Sequence, residues 1–183
     1  MAIIGGAVRD AFCALEARAA MTSPPSKSTA AAERGVGATT RPSLVVLSSL
    51  FPSKLQPMAG LFIRERMFRV GREFPLAVVS PQPWFPGQSI LRRWRPAFRP
   101  GAPAHDTQRT HDVWYPRFFS FPSVLKRWDG HLMAAGAYTR MKKLRAAGRL
   151  DLIDAHFAYP DGAAAVQLAK RLGVPCTITM RGT

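Results

Sequence analysis

Leu152-Ile153-Asp154-Ala155-His156-Phe157-Ala158-Tyr159-Pro160-Asp161-Gly162, with the run behind it to Met180, carries the fold. Leu152 to Ala155 is a short, mainly apolar run, the pattern of a strand buried in a sheet. Asp161 stands where a carboxylate caps a helix, and residues 162–172 place Ala165, Leu168, Ala169 and Leu172 on one face. Gly173 supplies the stop, because a residue without Cβ readily takes the left-handed conformation that ends a helix. Pro175 to Met180 is the next strand. A strand, a helix and a strand in this order predict a crossover between parallel strands.

The same alternation recurs upstream. Leu44-Val45-Val46-Leu47 is an apolar run, followed by a loop from Ser48 to Gly60 that contains Pro52 and Pro57. Residues 61–73 put Ile63, Met67, Val70 and Phe74 on one helical face, and Leu76-Ala77-Val78-Val79 is a second strand. Val113-Trp114-Tyr115 predicts another strand. Residues 129–147 predict a helix that ends on Arg140, Lys142, Lys143 and Arg145, cations suited to the negative end of its dipole. The expected fold is α/β: a Rossmann-like open parallel sheet with helices on both faces.

That domain is expected to span residues 43–183. Residues 1–42 read as a disordered tail, with a polar linker from Thr22 to Thr29 and Met21 as a second candidate start. Residues 81–111 interrupt the alternation with prolines, tryptophans and arginines, and predict an irregular basic-aromatic insertion. The last three residues, Arg181-Gly182-Thr183, form a turn at the carboxyl end of a strand, so the domain is expected to be incomplete at its C-terminus.

Composition narrows the function. The 183 residues are 47% hydrophobic and 20% charged, which excludes a wholly disordered chain. The net charge of +15 is concentrated between residues 54 and 149 and favours anionic partners. Cys13 and Cys176 lie too far apart for a metal or redox motif, as suits a reducing cytoplasm, and no metal or cofactor is expected. No apolar run reaches the roughly 20 residues of a membrane span. The expected location is the cytoplasm, with contact at the inner membrane face.

Ligands of open α/β sheets bind at the carboxyl ends of the strands. Three segments fall there: Ser49 through Pro57 to Gly60, His156 to Gly162, and Arg181-Gly182-Thr183. The first leads into a helix N-terminus, where free backbone amides attract anions and Gly60 would let a phosphate approach; it reads equally as a proline-ordered connector. An imidazole at His156 can hydrogen-bond a sugar hydroxyl or a carbonyl, or it can be a structural histidine held by the backbone. His105, His111 and His131 read as structural, and none of the four histidines makes a metal-ligand pair. Trp84, Phe85 and Trp94 beside Arg92 and Arg93 suit an anionic membrane surface, or else pack on the domain. No nucleic-acid motif is present, and no nucleic acid is expected as partner.

Ser48-Ser49-Leu50-Phe51-Pro52, Gly60-Leu61-Phe62-Ile63-Arg64-Glu65-Arg66, Asp154 to Gly162 and Thr179-Met180-Arg181-Gly182-Thr183 together resemble the amino-terminal domain of family 4 retaining glycosyltransferases. The resemblance runs from about Ser43 to the end, and His-aromatic-x-x-Pro-Asp-Gly is its most specific part. It implies the GT-B arrangement of two facing Rossmann-like domains, in which this one binds the acceptor and a second, absent one grips a nucleotide diphosphate sugar. His156 would lie near the transferred sugar, with Pro57, Gly60, Asp161, Gly162, Arg181, Gly182 and Thr183 facing the diphosphate or the acceptor. The implied reaction moves a hexose-like sugar, with retention, to a glycan or lipid-linked acceptor in surface-polysaccharide synthesis. This domain alone would be inactive. A noncatalytic α/β module that binds a nucleotide or a membrane surface is the rival from another class.

Overall fold

A computed structural model describes residues 41–94, 102–121 and 126–180. The expected tail up to residue 40, the closing Arg181-Gly182-Thr183 and part of the insertion lie outside the described residues. Among the described residues the strands are β1 (Leu44–Leu47), β2 (Leu76–Val79), β3 (Gln82–Trp84), β4 (His105–Gln108), β5 (His111–Trp114), β6 (Arg117–Phe119), β7 (Leu152–His156) and β8 (Cys176–Thr179). The helices are α1 (Leu61–Val70), α2 (Gln88–Trp94), α3 (Asp129–Ala146) and α4 (Ala163–Leu172).

Six strands form one sheet in the order β4-β5-β2-β1-β7-β8, parallel except for β4, which is antiparallel to β5 at the edge. β1 lies in the interior, and all four of its side chains are buried, because both faces of the sheet are covered. Val45, Leu47, Ala77, Val79, Ile153 and Ala155 point to the face that packs on Met133, Ala137 and Met141 of α3 and Ala165 and Leu168 of α4. Each fully buried side chain of Val, Leu, Ile or Met size stabilises by about 1.5–3 kcal/mol. The opposite face carries α1, whose C-terminal Gly71 sits so close to Leu76 and His111 that a Cβ there would fall 2.6 Å from the His111 ring. The sheet is thus Rossmann-like, with helices on both faces.

Several expectations need correction. The α1 face turned inward is Ile63, Met67 and Phe68, and the helix stops at Val70; Val70 and Phe74 are only half-buried. Residues 81–111 are not irregular throughout, since they contain β3, α2 and β4. β3 and β6 pair in parallel with the same sequence offset as β2 and β5, so one ladder continues past a break at Pro81 and Pro116. Proline lacks the amide that the ladder needs at that point. Hydrogen bonds from Ser80 N to Trp114 O (2.7 Å) and Gln82 N to Pro116 O (2.8 Å) carry the pair across it. Gly136 lets α3 approach this extension, because a Cβ there would strike the Arg117 carbonyl at 2.6 Å. Among the described residues, no helix is long and apolar enough to cross a membrane.

Candidate functional site

The chain leaves β1 toward α1 on one face and leaves β7 toward α4 on the other. Adjacent strands whose connections diverge in this way open a crevice at their carboxyl ends. Ser48 to Gly60 forms one wall, and His156 to Gly162 forms the other.

His156 closes β7, opposite Thr179 of β8, and is wholly buried. Its Nε2 lies 3.5 Å from an oxygen of Asp154, whose other oxygen accepts a hydrogen bond from the Thr177 hydroxyl at 3.0 Å. Asp154 and His156 share a face because side chains alternate along a strand. That two-residue spacing is the signal that could have nominated Asp154 as the carboxylate beside the imidazole.

The backbone turns sharply after His156. Phe157 has φ 82° and ψ 143°, a region that a side chain with Cβ enters only under strain. Its amide donates to Thr179 O, and its carbonyl accepts from Gly162 N, both at 3.0 Å. Gly162 suits this closure: a Cβ would sit a tight 3.1 Å from both that carbonyl and the Ile178 side chain. Tyr159–Pro160 is a cis peptide, and the Tyr159 hydroxyl donates to the Lys126 carbonyl while accepting from Gly130 N at 3.4 Å. Only Gly at 130 fits here, because a Cβ would reach 2.9 Å from that of Ala163.

The turn swings Asp161 inward, so it does not cap α4 as its position predicted; Gly162 is the N-cap and no side chain bonds there. The Asp161 carboxylate is fully buried, and one of its oxygens accepts the backbone amide of Ser49 at 3.1 Å. Its other oxygen has no hydrogen-bond partner among the described residues. Burial raises its pKa to about 6, against the lowering influence of hydrogen bonds from Ser49 and Ser48.

The opposite wall is held at three points besides Ser49. Gly60 has φ 66°, and a Cβ would fall 2.2 Å from the Leu50 carbonyl, so the first requirement on this glycine is the fold of its own loop. Tyr115 Oη donates to Pro52 O at 2.6 Å, and Gln108 Nε2 donates to the same carbonyl at 2.9 Å. Burial pushes the Tyr115 phenol well above its ordinary range. Pro57 is exposed and lines a cavity of about 290 Å³ with Lys54, Arg64, Asp106 and Arg109, away from His156. Asp154, Phe157, Ser49 and Tyr115 were not singled out from the sequence.

The other expected residues lie apart from this crevice. Trp94 on α2 is 84% exposed and Trp84 on β3 is 40% exposed, but Phe85 is buried and stacks on Phe121 at 5.5 Å. Phe85 anchors the segment to the domain and does not face outward. Arg93 is exposed and Arg92 lies in the same helix. Among the described residues, no group of three or more His, Cys, Asp or Glu is placed to hold a metal.

No family model matches the chain. Over 140 residues it is 26% identical to a Bacillus subtilis (strain 168) protein described as "Putative teichuronic acid biosynthesis glycosyltransferase TuaC". The match covers 75% of this chain and 35% of that protein, so the chain spans far less than the relative's full length. A solved structure, the C-terminal domain of PF1911 hydrogenase from Pyrococcus furiosus, aligns at TM-score 0.41 and 11% identity over 86% of this chain and 100% of that one.

Proposed function

We propose that this chain is the acceptor-side domain of a retaining, GT-B glycosyltransferase of polysaccharide synthesis. It would act with a donor-binding domain on a nucleotide diphosphate sugar and a glycan or lipid-linked acceptor. The observation that carries the reading is His156, buried beside Asp154 at the carboxyl end of β7 and followed by a strained turn. The similarity to the named glycosyltransferase supports it from an independent side.

In this mechanism the imidazole of His156, beside the Asp154 carboxylate, hydrogen-bonds the sugar as positive charge develops on the sugar ring. The amides at the start of α1 face the diphosphate, with Gly60 shaping their loop. Asp161 and Gly162 hold the two walls in register, and Arg181, Gly182 and Thr183 stay proposed as residues facing the diphosphate or the acceptor. In the conformation described, His156 is enclosed, so reaching the sugar requires the Phe157 turn or the Ser48–Gly60 loop to shift. Half of a site cannot position both substrates, so this domain alone is inactive.

Exposed Trp94, Trp84, Ile90 and Trp128 near Arg93 and Arg127 favour a peripheral contact with the anionic inner membrane face, where a lipid-linked acceptor resides. The test is sugar incorporation into membrane extract by the complete gene product, over a panel of nucleotide diphosphate sugars, wild type against His156→Ala. Incorporation that falls at least a hundredfold in the variant is expected. Incorporation unchanged in the variant returns His156 to a structural role, and none with any donor favours a noncatalytic binding module.

A further inference from the structure

A second cavity, of about 400 Å³, lies between the carboxyl end of β5 and the outer side of α3. Of its lining residues Tyr115 also braces the β1/β7 crevice, through its hydroxyl on Pro52 O. Arg117, Arg140 and Lys143 line it, with Thr139 between them and Trp114 and Tyr115 forming its apolar wall. None of the lining residues is acidic. Several cations elsewhere on the domain are partnered, among them Arg149 with Asp112 at 2.8 Å, Lys126 with Asp129 at 3.0 Å, and Arg109 with Glu65 at 3.2 Å. Arg117, Arg140 and Lys143 make no such ion pair among the described residues.

The arrangement of Arg140 is informative. Its guanidinium lies over the Trp114 ring, 5.1 Å from the centroid. A guanidinium held by its face against an aromatic ring keeps its N–H donors, which lie in its own plane, available to an acceptor. Arg149 lies over the same ring at 5.6 Å but is committed to Asp112, so of the two guanidiniums Arg140 is the one with donors to offer. Like charges gathered without a counter-ion repel one another, and a bound anion removes that cost.

We propose that this cavity binds an oxyanion, phosphate or carboxylate, carried on a small saccharide. A volume of 400 Å³ falls within the range of small-molecule sites and holds more than a lone anion. Arg140 and Lys143 take the oxyanion, Arg117 closes the rim, and the Thr139 hydroxyl and the apolar wall receive the attached ring. The assignment concerns binding by this chain and does not depend on glycosyl transfer.

Calorimetric titration of the 183-residue chain with glucose 1-phosphate, glucuronate and neutral glucose tests it. The wild type is compared with Arg140→Gln/Lys143→Gln and with a control pair on α1 and its C-terminal turn, Arg69→Gln/Arg72→Gln. At least one of the two anions is expected to bind saturably and glucose not to bind. Affinity should fall at least tenfold in the cavity pair and change less than twofold in the control. Binding of glucose 1-phosphate alone assigns a phosphate, and binding of glucuronate alone assigns a carboxylate. Lys143→Gln by itself, which leaves the Trp114 contact intact, should still weaken binding at least threefold if the double variant melts early. No saturable binding of either anion, equal binding of glucose, or an equal loss in the control pair would overturn the assignment.

Discussion

The buried carboxylate of Asp161, at the end of the turn after β7, accepts the backbone amide of Ser49, in the loop after β1, at 3.1 Å. This one bond ties together the two walls of the candidate crevice. It also places an acid where ionisation is costly, which has consequences for stability.

Asp161 has its folded pKa raised to about 6 from 3.8. The folded state therefore holds its proton where the unfolded state has lost it, and this group's contribution to stability falls as pH rises from about 4 to about 6. Asp161→Asn removes the titration and keeps an acceptor for Ser49. Its stability relative to wild type should rise by about 1–3 kcal/mol between pH 4 and pH 7, on the scale of 1.36 kcal/mol per pKa unit. Urea denaturation at the two pH values measures this, and a pH-independent difference would refute it. Asp161→Ala, which orphans the Ser49 amide, should lose about 1–3 kcal/mol relative to Asp161→Asn.

Gly60 and Gly173 both have φ near +65°, but only Gly60 has backbone where a Cβ would go. Gly173→Ala should cost about 1–2 kcal/mol, the strain of a left-handed non-glycine residue. Gly60→Ala should cost more than that, about 3 kcal/mol or above, because the Leu50 carbonyl must also move. Equal denaturation midpoints for the two variants would contradict the close approach seen at Gly60.

Phe157 sits at positive φ, so glycine and alanine there should rank in the reverse of their usual order. Phe157→Gly is expected to be more stable than Phe157→Ala by about 1 kcal/mol, since glycine is unstrained at this angle. Thermal unfolding of the pair provides the comparison, and an alanine variant that melts higher would argue against the strained turn.

Tyr115→Phe removes the hydroxyl that donates to Pro52 O. A loss of about 1–2 kcal/mol is expected, softened because Gln108 still donates to the same carbonyl. Amide exchange in residues 49–60 should quicken while that in β7 stays unchanged. Faster exchange spread evenly over the domain would mean that Tyr115 is a general core residue.

The proposed membrane contact makes its own prediction. Co-sedimentation with vesicles containing anionic lipid should fall at least fivefold in Trp94→Ser/Arg93→Gln, and should vanish for wild type on neutral vesicles. Phe85→Ala should act through stability instead, because its ring is buried against Phe121. Retained binding in the double variant would place any membrane contact elsewhere on the domain.

Local pattern was sufficient for much of this molecule. Val45, Val78 and Ile153 sit in short apolar runs whose only economical home is a sheet covered on both faces, and Gly173 ends α4 as its lack of Cβ foretold. The position of His156 at a strand's carboxyl end was also legible, because strand and turn are properties of adjacent residues. What the sequence could not determine depended on partners brought together from far along the chain. The Asp161–Ser49 bond spans 112 positions and Tyr115–Pro52 spans 63, so no periodicity announces them. The prolines at 81 and 116 read as breaks, yet the parallel pairing resumes beyond both, because each strand's partner is interrupted at the same level. Phe85 turned inward for the same kind of reason: only the folded chain brings Phe121 within stacking distance of it.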